Sequence, residues 1–139
     1  MTIAVGSSTA VGTYPITVTG NGGGIQQSAT VTLTVTAAPN FTLSAAPTSV
    51  SVAAGSQGTS TITTAASGGF NNAISLSATG APSGTTVSFS PSTIAAPGGG
   101  SSTMTIAVGS STAVGTYPIT VTGNGGGSCL LYTSPSPRD

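Results

Sequence analysis

Hydrophobic and polar residues alternate through most of this chain with a period of two. In "ATVTLTV", Ala29, Val31, Leu33 and Val35 fall on one face, and Thr30, Thr32 and Thr34 on the other. "TYPITVTG" repeats the pattern with Tyr117, Ile119 and Val121, and "MTIAV" with Met104, Ile106 and Val108. "FTLSA" (Phe41, Leu43), "SVSVA" (Val50, Val52), "STITT" (around Ile62), "AISLSA" (Ile74, Leu76) and "TTVSFS" (Val87, Phe89) continue it. Such alternation, rich in β-branched residues, predicts strands with one buried and one solvated face. No segment has a convincing helical period. Gly, Pro, Asn and Ser clusters separate the strands: "AAGSQG", "SGGFNN", "GAPSG", "APGGGSS", "GSSTAVG" and "GNGGG". They mark turns. The strand density predicts an all-β chain built as an antiparallel sandwich. A β-solenoid is the alternative, although the strand spacing is irregular. Pro118 lies inside one strand signal, so that strand is expected to start near it or to bulge.

The pattern itself recurs. "MTIAVGSSTAVGTYPITVTGNGGG" occurs at residues 1–24 and again at 104–127 without a difference, an offset of 103 residues (104 − 1). That length suits a tandem domain better than a solenoid unit. The first copy runs on as "IQQSATVTLTVTAAPN", and the second passes directly into "SCLLYTSPSPRD". The expected organisation is the C-terminal part of one repeat (1–35), a joint (36–40), a second repeat lacking its last strand (41–127) and a foreign tail (128–139). A complete repeat holds about eight short strands. Met1 aligns with the internal Met104, so the absence of a leader peptide carries no information.

The tail changes the picture of composition. The single Cys, Arg and acidic residue all lie in Cys129–Asp139. Those eleven residues match the in-frame translation of a transposase-type sequencing adapter, and the match begins where the repeat is interrupted. Cys129–Asp139 is therefore expected to be adapter read-through on an environmental DNA fragment, and Cys129 to have no role.

Without the tail, residues 1–128 contain no Asp, Glu, Lys, Arg, His, Cys or Trp, whereas a typical soluble domain is about 25% charged. This excludes several functions. Phosphate neutralisation needs Lys or Arg, so nucleic-acid binding is not expected. Attachment to anionic lipid needs the same residues, and no apolar run approaches the ~20 residues of a spanning helix. Acid–base catalysis at neutral pH would be left with Tyr alone. The many Ser and Thr hydroxyls have no neighbouring base. Calcium and zinc sites lack their usual ligands. No catalytic, cofactor-binding or metal-ligating residue is predicted, and no enzyme activity.

Three features remain as candidates. "GNGGG" lacks the Lys-Ser/Thr of a phosphate loop and reads as a hairpin turn. "NFT" at Asn40 is a formal glycosylation sequon, but its position favours a domain joint. The "TVTLTVT" ladder could present hydroxyls to ice or a polysaccharide, although Thr is also simply a favourable exposed strand residue.

The segments "SVSVAAG", "GAPSGTTVSFSPSTI" and "VGTYPITVTG" resemble a bacterial immunoglobulin-like tandem module of large secreted or surface proteins. The resemblance covers residues 1–127 as two partial copies. It implies an immunoglobulin-like sandwich, an extracellular or cell-surface location and a non-enzymatic spacer or stalk role with neighbouring repeats as partners. A glycan-binding or adhesive module appended to a secreted enzyme is the alternative, with polysaccharide as partner. "VGTYPITV" also resembles the tyrosine corner of such sandwiches, in which a Tyr hydroxyl bonds back to upstream backbone; the other reading of Tyr117 is an ordinary core aromatic. An uncharged chain with unpaired strand edges is expected to self-associate. The spare strand at Ser28–Val35 is not expected to complete its own chain's second repeat. A strand of eight residues spans roughly 27 Å, and the joint reaches about 18 Å. The edge beside Thr116–Gly123 is therefore expected to stay open in a monomer.

Overall fold

The computed structural model describes residues 1–136. The chain forms two compact units, Met1–Ala38 and Pro39–Asp139, and every ladder in both is antiparallel.

The first unit is a single hairpin of β1 (Gly12–Gly22) and β2 (Ile25–Val35). Gly23 and Gly24 form the two-residue turn, with φ of 58° and 79°. Positive φ at both central residues is what a type I′ hairpin turn needs, and glycine meets it without steric cost. The turn sets the register, which pairs Gly22 with Ile25, Ile16 with Val31 and Tyr14 with Leu33. The strand expected near "TIAV" at residues 2–5, the first copy of the "MTIAV" signal, does not form. In the second copy the same residues lie between two neighbouring strands; the first unit supplies neither neighbour.

Among the described residues the second unit has eight strands. They are β3 (Asn40–Ala46), β4 (Gln57–Ser67), β5 (Ile74–Thr79), β6 (Thr85–Ser90), β7 (Thr93–Ile94), β8 (Gly100–Val108), β9 (Tyr117–Gly125) and β10 (Ser128–Ser136). One sheet runs β3-β4-β8-β6 and the other β10-β9-β5-β7. The inward positions of the alternating pattern meet between them as an antiparallel β-sandwich. Phe41, Ile62, Met104 and Ile106 come from the first sheet, and Ile74, Leu76, Ile119 and Val121 from the second. All eight are buried, each stabilising the fold by roughly 1.5–3 kcal/mol relative to exposure. Phe41 and Phe70 add a tilted aromatic pair with centroids 5.2 Å apart.

Two expectations are corrected here. No strand forms over "SVSVA". Val52 is nevertheless buried and Val50 packs against the core, so the alternation reports burial without a sheet ladder. Both valines lie so close over β4 that a Cβ at Gly58 would sit 2.5 Å from Val50 Cγ1 and 2.7 Å from Val52 Cγ2. The edge expected to stay open beside β9 is also filled, because β10 occupies it from Ser128↔Gly125 to Ser136↔Tyr117. The cause is the turn, which repeats the first unit's geometry with φ of 54° at Gly126 and 86° at Gly127. Ladder hydrogen bonds come from the backbone, so this lane accepts a strand of nearly any sequence. Leu130 packs against the core while Leu131, next in line, is 67% exposed. Residues 137–139 lie outside the described residues.

Pro118 sits at the second position of β9, and the β5 ladder stops at Thr120, short of it. The proline thus removes no bond from that ladder. The chain leaving β5 passes so close to this point that a Cβ on Gly80 would lie 2.3 Å from the Pro118 carbonyl oxygen. With φ at 91°, only glycine fits.

Candidate functional surface

The outward positions of the β3-β4-β8-β6 sheet carry hydroxyls in rows that cross the strands. Ser44, Thr63 and Ser101 are successive partners, as are Thr61, Thr103 and Ser90, and Thr59, Thr105 and Ser88. Thr59, Thr61, Thr63, Thr103 and Ser88 are exposed. The face is four strands wide, uncharged and free of aromatic rings. It can exchange hydrogen bonds with a neutral partner, but it holds no group able to move a proton at neutral pH. "TVTLTVT" is one part of a wider pattern. Thr30 and Thr34 of β2 face Thr17 and Thr13 of β1, and Thr120 and Thr133 share a hydrogen bond of 3.2 Å between β9 and β10. A single strand's T-x-T spacing could not reveal the cross-strand rows, because they depend on register.

Hydroxyls on the inner face behave differently. Ser60 Oγ donates to the Pro47 carbonyl at 2.7 Å, Thr64 Oγ1 to Gly98 at 2.7 Å and Ser102 Oγ to Pro91 at 2.6 Å. All three residues are buried, and each ties a core strand to a connecting loop. Their partners are backbone carbonyls far away in sequence, so periodicity gave no sign of them. These bonds satisfy the groups as buried polar atoms require, which marks them as structural rather than reactive.

Tyr117 forms the expected corner. Its hydroxyl donates to the Ala113 carbonyl at 3.0 Å, and Tyr14 makes the equivalent bond to Ala10 at 2.8 Å. Beside the corner, Pro82, Ser83, Gly84, Ser111, Ala113 and Tyr117 line an open groove of about 520 Å³. Its side chains offer hydroxyls only. Asn40 is exposed at the start of β3; its Oδ1 accepts from the Phe41 amide at 2.9 Å and its carbonyl from Ser67 Oγ at 3.3 Å. Cys129 is an exposed free thiol on β10. Among the described residues there is no cluster of three or more His, Cys, Asp or Glu that could hold a metal ion. No helix among them is long and apolar enough to cross a membrane.

No protein-family model matches the chain, and no curated protein sequence matches it. Solved structures do. Domains 4 and 5 of the S-layer protein SbsC share 24% identity at a TM-score of 0.50, over 89% of this chain and 65% of that one. The SbsC structure spanning domains 1–6 shares 25% at 0.51, over 93% of this chain and 17% of that one. The crystal structure of rSbsC(31-844) shares 26% at 0.52, over 94% and 17%. This chain therefore spans about two thirds of the shorter structure and about a sixth of the longer ones. It is similar in fold to domains of a surface-layer protein.

Proposed function

We propose that the chain is a non-enzymatic structural module of an extracellular or cell-surface bacterial protein, a spacer or stalk built from tandem repeats. The observation that carries this is the fold similarity to domains of an S-layer protein over 89–94% of the chain. It is reinforced by a sequence with no acid, base or metal ligand in residues 1–128. In this reading residues 1–35 are the end of one immunoglobulin-like repeat, 36–40 the joint, and 41–127 the body of the next. The strand orders support it. The sheet β3-β4-β8-β6 and the first three strands of β10-β9-β5-β7 follow the ABED and GFC orders of the constant-type immunoglobulin sandwich, β7 being additional, with the tyrosine corner at the expected place. Residues 128–139 are adapter-derived in the same reading, and a strand like Ile25–Val35 follows Gly127 in the parent gene. Sequencing the locus tests that point.

The spacer role is tested on arrays of one, two and four complete 103-residue repeats by small-angle scattering. A stiff spacer lengthens by a constant increment per repeat. Growth with the square root of repeat number, as for a flexible chain, would reject it. The hydroxyl face favours a second reading, adhesion to a neutral polysaccharide. Saturable binding on a glycan array that is lost in Thr61→Lys and Thr103→Lys variants would replace the spacer reading with that one.

A further inference from the structure

We propose that β2 of one copy of this chain can take the place of β10 beside β9 of a second copy, linking chains by strand exchange. The inference starts from sequence identity between two docking lanes. β1 and β9 lie in the repeated segment, so Tyr14, Ile16 and Val18 correspond to Tyr117, Ile119 and Val121. β2 sits on its lane in the register that β10 uses on the other. Gly22↔Ile25 corresponds to Gly125↔Ser128, Ile16↔Val31 to Ile119↔Ser134, and Tyr14↔Leu33 to Tyr117↔Ser136. The β9 edge is therefore a lane of the sequence on which β2 already docks.

The two strands differ in what they bring to it. Opposite Ile119 and Tyr117, β2 would supply Val31 and Leu33; opposite Val121 and Gly123 it would supply Ala29 and Gln27, where β10 supplies Tyr132 and Leu130. Ile119 is buried in the sandwich core, so apolar partners at that end of the edge strand extend the core. In its own hairpin Val31 is 40% exposed and Ile25 67%. The first unit gives β2 no second sheet to cover, whereas the β9 lane lies over one. Exchange also conserves ladders. A β10 displaced by the incoming β2 finds a lane of the same sequence on the β1 left vacant, so two ladders are broken and two are formed. The hinges are the glycine turns at Gly23-Gly24 and Gly126-Gly127. Because donor and acceptor surfaces differ, the contact is heterologous, and successive exchanges produce open strings of chains.

Register makes the proposal testable by cross-linking. Thr17 pairs with Thr30, so an exchanged β2 places Thr30 opposite Thr120, where Thr133 now lies within hydrogen-bonding distance. Two full-length chains are prepared in a Cys129→Ser background, one carrying Thr30→Cys and the other Thr120→Cys. They are mixed, unfolded in urea, refolded together and oxidised. Neither chain can form an internal disulfide. The expected result is a Thr30→Cys/Thr120→Cys heterodimer at least tenfold more abundant than one from a Thr34→Cys/Thr120→Cys mixture, whose register is four residues off. Equal yields from the two mixtures, or no heterodimer from the first at any concentration that remains soluble, would overturn the proposal.

Discussion

Residues 1–24 and 104–127 are the same sequence in two settings, and the contrast separates what is local in this fold from what is not. Met104, Ile106 and Val108 are buried in β8 between β4 and β6, whereas Met1, Ile3 and Val5 belong to no strand and are 79%, 37% and 48% exposed. Val121 is 1% exposed and Val18 41%. Yet both copies form the glycine hairpin turn, and both Tyr hydroxyls reach back four residues to an alanine carbonyl. Turn geometry and the corner bond need only neighbouring residues. The strand at 104–108 needs a flanking strand on each side and an opposing sheet, because a lone extended segment recovers too little to offset its conformational entropy.

The sharpest way to break this comparison is to truncate the same residue in both copies. Ile119→Ala should destabilise the second unit by about 2–5 kcal/mol, the usual range for a buried Ile→Ala change. Ile16→Ala, at a half-buried site, should cost the first unit less than about 1 kcal/mol. Urea denaturation of the two variants, with hydrogen exchange to assign the unit affected, measures both; equal losses would mean that the copies share one environment. A smaller effect probes the local feature. Tyr117→Phe should cost about 0.5–1.5 kcal/mol, the net worth of one hydrogen bond. Tyr14→Phe should weaken protection of the β1–β2 amides by a similar amount. An effect confined to Tyr117 would show that the corner depends on the core after all. The smallest effect expected is from pH. Residues 1–128 contain no Asp, Glu, His, Lys or Arg, so no side chain there binds or releases a proton on unfolding at mildly acidic to neutral pH. The stability of each should change by less than ~0.5 kcal/mol between about pH 5 and 8. A slope in thermal unfolding for only one unit would locate a difference that the shared sequence does not contain.

Period-two alternation was enough to find the sandwich, most strands and the inward residues Phe41, Ile62, Ile74, Met104, Ile119 and Val121. Glycine punctuation located the hairpins, and Pro118 marked the start of β9. The failures share a cause. Alternation measures which side of an extended chain is apolar, but it is silent on whether a neighbour is available to pair. It therefore placed a strand on Val50 and Val52, which are covered without one, and on Met1–Val5, which have nothing to pair with. It overlooked β10, whose ladder is made by backbone and directed by a turn. On the candidate surface, the absence of acid–base and metal-binding residues from 1–128 was legible from composition alone. The hydroxyl rows, each across three strands, were not, since Thr61 meets Thr103 only once register joins residues forty-two positions apart (103 − 61). The inward Ser60, Thr64 and Ser102 were hidden for the same reason, their acceptors being loop carbonyls brought near by the fold.

The paired glycines at 126 and 127 have a practical consequence for anyone who appends sequence to this module. A purification tag, linker or neighbouring domain joined after Gly127 would not begin as a free tether. The turn would aim its first residues along the β9 edge, and they would be recruited as the sandwich's outermost strand unless a charged inward position refused the lane. Splicing at this point thus edits the domain itself. A junction moved beyond the end of β10 would leave the module's edge unchanged.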